Sequence, residues 1–227
     1  MSTRRAQWTS YRLARALAAL AAAWLWLPRA AGADFTRDPL SDQIDVVVVD
    51  REVLAIDARG SAERSIGLHL REQVGFHGAG GIVGVALTSE RVLFFAANRG
   101  WLELRWESGE VPPDSVLLGE RVALLATSKR VIGFNAESGL AVDERVGRRE
   151  PVLDLAIGAN TAAVLTSRRL LGLSLSAARF IEEKLGVNEA VESMQAGANI
   201  ITVTTARRVL IFRSTGGNWE ERQRRLR

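Results

Sequence analysis

The constraint that governs this 227-residue chain is a period of 39 residues. Thr88, Thr127, Thr166 and Thr205 are spaced by 39, and each opens a short stretch of one kind: TSER, TSKR, TSRR and TARR. The register extends through neighbouring positions. Val53, Val92, Val131, Leu170 and Val209 coincide, as do Ile56, Phe95, Phe134, Leu173 and Phe212. Gly80, Gly119, Gly158 and Gly197 share another position, where the first copy has Ser41. No insertion interrupts the count: residues 33–227 number 195, five times 39, in units 33–71, 72–110, 111–149, 150–188 and 189–227. Self-similarity at such a period is the mark of a solenoid, a propeller or an array, in which a single unit cannot bury its own apolar face.

The content of one unit separates these architectures. In 150–188, EPVLDLAIG, NTAAVLTS, RRLLGLSLS and RFIEEKLG are four runs of strand length with short gaps between them. They lack a 3.6-residue period and read as a four-stranded antiparallel meander. The second and third runs are apolar on both faces, as in VALLA (122–126) and VLFF (92–95), and so demand cover from both sides. The fourth run is charged (WLELRWE, LAVDER, NWEERQRR), as expected of an outer edge protected from pairing with other chains.

A gradient from buried inner strands to a polar outer strand resembles that of β-propeller blades. The Thr-Ser-x-Arg turn and the Val-Leu-x-Phe strand after it carry the resemblance, which spans residues 34–227. It is to propeller repeats as a class. No Trp-Asp dipeptide ends the third strand as in WD40 repeats, and the double glycines of kelch repeats are missing. The expectation is an all-β, five-bladed β-propeller of four-stranded antiparallel blades, with a β-repeat solenoid as the alternative arrangement. The first unit has Ser41 in place of the inner-strand glycine and lacks most of the apolar content of an inner strand.

Residues 1–33 stand outside the repeat. Arg4, Arg5, Arg12 and Arg15 precede the apolar run Ala16–Leu27, and Ala31-Gly32-Ala33 ends the segment. This is the layout of a secretory signal peptide. The run of 12 residues is shorter than the ~20 of a membrane-spanning helix. The expectation is an exported protein, periplasmic or secreted, not stably inserted in a membrane after cleavage. Five of the 30 basic residues, and none of the 26 acidic ones, lie before Asp34. The remainder is near neutral, and charge therefore gives no support to nucleic-acid binding.

The chain has no cysteine and two histidines, His69 and His77, which removes thiolate chemistry and leaves too few imidazoles for a zinc site. No metal and no cofactor is expected. GAGGIVG (78–84) has Val83 where a dinucleotide fingerprint needs its last glycine, and a strand follows, so it reads as a turn. Asp114, Asp154 and Glu192 lie on inner strands of three units and are the candidates for a glycosidase-type acid pair, but no motif fixes a pair. Trp101, Trp106 and Trp219 could form a sugar-binding face, yet they do not recur in every unit as repeated lectin sites would. The expected role is non-catalytic: a binding or scaffold protein that presents one propeller face to a protein or anionic partner. Carbohydrate binding and a channel-mouth glycoside hydrolase are the alternatives.

The candidate binding residues are Arg91, Arg130, Arg169 and Arg208, each just after the turn between second and third strands, with Glu52 in that position in the first unit. Rotational symmetry would bring them to one face as an incomplete guanidinium ring suited to carboxylate or phosphate groups. The other reading is that each arginine caps its turn or pairs with an acid of the neighbouring blade.

Overall fold

A computed structural model describes residues 43–60 and 63–224. All regular structure among them is antiparallel sheet, in five successive meanders. Blade 1 contains β1 (Ile44–Val49), β2 (Glu52–Asp57) and β3 (Glu63–Gly67). Blade 2 contains β4 (Val74–Gly80), β5 (Val83–Thr88), β6 (Arg91–Ala96) and β7 (Gly100–Arg105). Blade 3 contains β8 (Leu117–Leu118), β9 (Val122–Ala126), β10 (Arg130–Asn135) and β11 (Leu140–Arg145). Blade 4 contains β12 (Val152–Ile157), β13 (Thr161–Thr166), β14 (Arg169–Ser174) and β15 (Ile181–Lys184). Blade 5 contains β16 (Val191–Gly197), β17 (Ile200–Thr205), β18 (Arg208–Arg213) and β19 (Trp219–Gln223). Blades 2 to 5 are four-stranded as expected. Blade 1 has three described strands, equivalent to β5, β6 and β7 one period later. The inner strand anticipated for the first unit and the expected signal peptide lie outside the described residues.

The blades pack face to face through four apolar clusters, each shared by two successive blades. In blade 2 every residue of β5 and β6 is buried, because blade 1 covers one face and blade 3 the other. That double cover is what the continuous apolar runs required. Side-chain volumes compensate across each junction. Phe94 stacks on Phe134 with ring centroids 4.7 Å apart. One junction later Gly133 occupies the place of Phe94 and admits Leu173, and then Gly172 admits Phe212.

The shared glycines explain why the array is a propeller and not a parallel stack. A Cβ on Gly80 would lie 2.8 Å from the carbonyl oxygen of Gly119, one on Gly119 2.2 Å from that of Gly158, and one on Gly158 2.0 Å from that of Gly197. Successive inner turns therefore meet backbone to backbone. Their N–H groups also hydrogen-bond across: Gln43 to Gly81 O, Ile82 to Glu120 O, Arg121 to Ala159 O and Asn160 to Ala198 O. The outer strands are held apart by whole side chains. Trp101 Nε1 reaches Arg64 O in blade 1, and Trp219 Nε1 reaches Ile181 O in blade 4. Contact by backbone inside and by long side chains outside makes each unit a wedge, and wedges fan about an axis. The chain is a five-bladed β-propeller.

The GAGGIVG stretch is the hairpin from β4 to β5, with Gly81 at φ 55°, as the turn reading requires. Gly197 differs from its equivalents: among the described residues only Ile200 of its own hairpin lies near its Cβ position. Nor does any apolar cluster, hydrogen bond or ion pair among the described residues join blade 5 to blade 1.

Candidate functional site

The four candidate arginines are brought to one face of the propeller, and each is built into a blade junction. Arg91 and Arg130 are buried, while Arg169 and Arg208 are nearly so. Each Nε donates to a glutamate in the turn that enters its blade: Arg91 to Glu72 (2.8 Å), Arg130 to Glu110 (2.9 Å), Arg169 to Glu150 (2.7 Å) and Arg208 to Glu189 (2.7 Å). The shared threonine donates its hydroxyl to the same carboxylate, at 2.6, 2.6, 2.9 and 2.8 Å in blades 2 to 5. It also accepts the arginine's backbone N–H, which closes the turn locally.

The guanidinium then reaches back to the preceding blade. Nη2 donates to a fourth-strand carbonyl there: Gly67 O at 2.8 Å, Arg105 O at 3.0 Å, Arg145 O at 3.1 Å and Lys184 O at 2.7 Å. Nη1 pairs with an acid on the fourth strand of its own blade: Glu103, Asp143, Glu182 or Glu221. In blades 4 and 5 it also meets Glu144 and Glu183 of the preceding blade. The TSxR signature therefore encodes a joint that ties one blade's turn to the fourth strand of the blade before it. Of the alternative to a ring, the closed turn is present in each of the four blades, whereas pairing with an acid of the neighbouring blade occurs only for Arg169 and Arg208; Arg91 and Arg130 pair with acids of their own blade and reach the neighbour through a backbone carbonyl.

Electrostatics follow from this geometry. For Glu72, burial opposes ionisation most, but hydrogen bonds from Arg91, the His69 N–H and Thr88 outweigh it and bring its pKa down to about 2. Glu110 and Glu150 are lowered by the same contest, burial against arginine and threonine donors. Glu189 falls to about 2 chiefly through its hydrogen bond from Arg208. The glutamates were not singled out in the sequence, although Glu72, Glu150 and Glu189 obey the 39-residue period. Glu110 stands one residue out of register, ahead of Pro112-Pro113, and its turn adjusts to deliver the carboxylate to Arg130.

The opposite face carries the turns from first to second and from third to fourth strands. A cleft of about 510 Å³ lies there across blades 1 to 3. Gln43, Arg59, Asn98, Glu120, Arg121 and Glu137 line it. Arg121 and Glu137 pair at 2.5 Å, and both side chains are 46 % exposed. Gln43 keeps a buried Oε1 without a hydrogen-bond partner among the described residues.

The structure does not assemble the candidate acids into a pair. Asp114, Asp154 and Glu192 are all exposed, on three different blades. Asp154 accepts the N–H of Leu155, and Glu192 pairs with Arg224. The tryptophans act within the fold: Trp101 packs on Phe95, Trp219 on Phe212, and Trp106 donates to Thr88 O. His77 Nδ1 lies 2.9 Å from Val46 O and joins blades 2 and 1. His69 Nδ1 lies 2.7 Å from Glu90, with Glu72 close by, but the Glu72 oxygens already serve Arg91, Thr88 and the His69 N–H.

No protein-family model matches the chain, and no curated protein matches it. Solved structures do. Yeast RCC1 (Prp20), solved bound to Kap60, is 15 % identical over 73 % of this chain and 54 % of its own, with a TM-score of 0.35. Human WBSCR16 is 13 % identical over 74 % of this chain and 58 % of its own, with a TM-score of 0.38. The WD40 domain of SCAP from fission yeast is 12 % identical over 83 % of this chain and 57 % of its own, at 0.35. The chain thus spans between half and three fifths of the length of these structures, and the propeller assignment rests on its own sheets and junctions.

Proposed function

We propose that the chain is an exported, non-catalytic scaffold that binds a protein partner through the face bearing the cleft. One observation carries this reading: the two faces spend their charges differently. On the face of the TSxR turns the arginines are saturated by built-in glutamates. On the other face Arg59, Glu120, Arg121 and Glu137 border an open cleft of about 510 Å³ that spans three blades. Exposed charges of both signs around a concavity suit a polar protein surface, steering its approach and fixing its orientation more than supplying affinity. An anionic ligand at the arginine face would have to displace carboxylates that the fold holds ionised. A sugar would find the indole N–H groups of Trp101, Trp106 and Trp219 committed to backbone carbonyls. Export is supported by the order of basic, apolar and small residues in the first 33 positions.

The test is cross-linking of the exported protein in its host, comparing wild type with a variant carrying Arg121→Glu and Glu137→Ala. The expected result is a defined partner that the variant loses while its melting temperature is unchanged. Equal capture by both proteins, or glycosidase activity abolished by Asp154→Asn, would overturn the reading. The mature protein is expected to begin at or near Asp34, and an exported product retaining Met1 or Ser2 contradicts the export part.

A further inference from the structure

The array ends in two sheet faces that no described residue covers. On blade 1 the outer face presents Val47, Val49, Leu54 and Ile56; Val49 is 48 % exposed and Ile56 37 %. On blade 5, burial along β17 alternates, so that Ile201 and Val203 face blade 4 while Ile200, Thr202 and Thr204 face away. Val209 and Ile211 share that outer face through their pairing with Thr204 and Thr202.

The repeat register tells what each face would meet. At an internal junction, positions equivalent to Ile211 contact positions equivalent to Ile56: Phe94 with Phe134, Gly133 with Leu173, Gly172 with Phe212. Ile211 against Ile56 continues the same compensation of volume. The charges are complementary too, with their signs exchanged. Arg169 pairs with Glu144 of the preceding blade and Arg208 with Glu183. One period further, the acid's position is Arg222, and the arginine's position in blade 1 is Glu52. Both are exposed, and neither has an ion-pair partner among the described residues. Gly197 adds a third sign. It is the residue that the next blade's inner turn demands at the junctions of blades 2–3, 3–4 and 4–5, yet no other blade among the described residues approaches it here.

We infer that the outer face of blade 5 docks blade 1 of a second copy of this chain, in a head-to-tail contact that repeats the internal blade junction with the Glu52–Arg222 pair reversed in sign. A second copy meets the face without disturbing the four packed junctions. No apolar cluster, hydrogen bond or ion pair among the described residues seats the chain's own blade 1 on this face. Such a contact is heterologous: each copy offers one face and accepts another.

Sedimentation velocity on the full chain tests this across a wide concentration range. The expected result is association that rises with concentration. Glu52→Arg or Arg222→Glu alone should weaken it about ten-fold or more, while the doubly exchanged protein recovers it. Both side chains are exposed, so an unchanged circular-dichroism melt confirms that each variant folds. A monomer at all concentrations, or single exchanges without effect, overturns the inference. The cysteine-free background allows a second measurement. Ile56→Cys and Ile211→Cys in separate chains should cross-link when mixed. A protein carrying both that instead closes a disulfide within one chain shows that blade 5 takes its own blade 1, which overturns the second-copy contact.

Discussion

Glu72→Gln removes one charge from the joint between blades 1 and 2 and nearly preserves its shape. The Glu72 side chain is 0 % exposed and that of Arg91 4 %, so solvent cannot replace the lost carboxylate. Arg91 would keep Glu103 and Gly67 O, but the amide offers one acceptor oxygen where the carboxylate offered two, so either Nε or Nη2 faces an NH2 donor. Two routes give the size of the effect. A carboxyl held at about 2 instead of 4.5 corresponds to about 3 kcal/mol. Removing one partner of a buried ion pair typically costs about 3–5 kcal/mol. The sign follows from the lowered pKa: the folded protein binds the proton less readily than the unfolded chain. The stabilisation is complete above about 4.5 and is lost as the pH falls through that value toward about 2. Urea unfolding at neutral pH should therefore separate wild type from Glu72→Gln by about 3 kcal/mol, and the gap should shrink to less than half by about pH 3. A gap that stays constant with pH, or one below about 0.5 kcal/mol at neutral pH, would refute a charged joint held by Arg91.

Other perturbations probe the remaining parts of the junctions. Arg169→Gln should cost about 3 kcal/mol by stranding the largely buried Glu150 carboxylate, while Arg121→Gln at the exposed Glu137 pair should change stability by less than about 1 kcal/mol in the same unfolding assay. Gly158→Ala places a Cβ 2.0 Å from Gly197 O and should destabilise by about 1–3 kcal/mol or more, whereas Gly67→Ala meets nothing within 4 Å and should be near neutral in thermal melts. Phe134→Ala, which removes half of the stack with Phe94 at 4.7 Å, should cost about 3–5 kcal/mol by denaturant titration.

The amino-acid sequence suffices for the unit, the number of units and their strands. A strict 39-residue period with β-length apolar runs leaves few other solutions, because runs buried on both faces must lie between neighbours. It also located the turn arginines, since a turn motif is local. It did not determine their role. A guanidinium extends several bonds from its backbone, and whether it faces solvent or a carboxylate depends on a glutamate 19 or 20 residues earlier and on the preceding blade's fourth strand. Those contacts exist only once two blades have packed. The same holds for the shared glycine: its identity is visible at Gly80, Gly119, Gly158 and Gly197, but its cause is the approach of the next blade's carbonyl. The cleft of Arg59, Glu120, Arg121 and Glu137 was invisible for a related reason. It is formed by turns of three blades at equivalent repeat positions, Arg59, Asn98 and Glu137 in one set and Gln43, Ile82 and Arg121 in another, whose residue types change from blade to blade, so no shared residue marks them. Periodicity reports what every junction needs, and the tertiary structure alone decides what differs from one blade to the next.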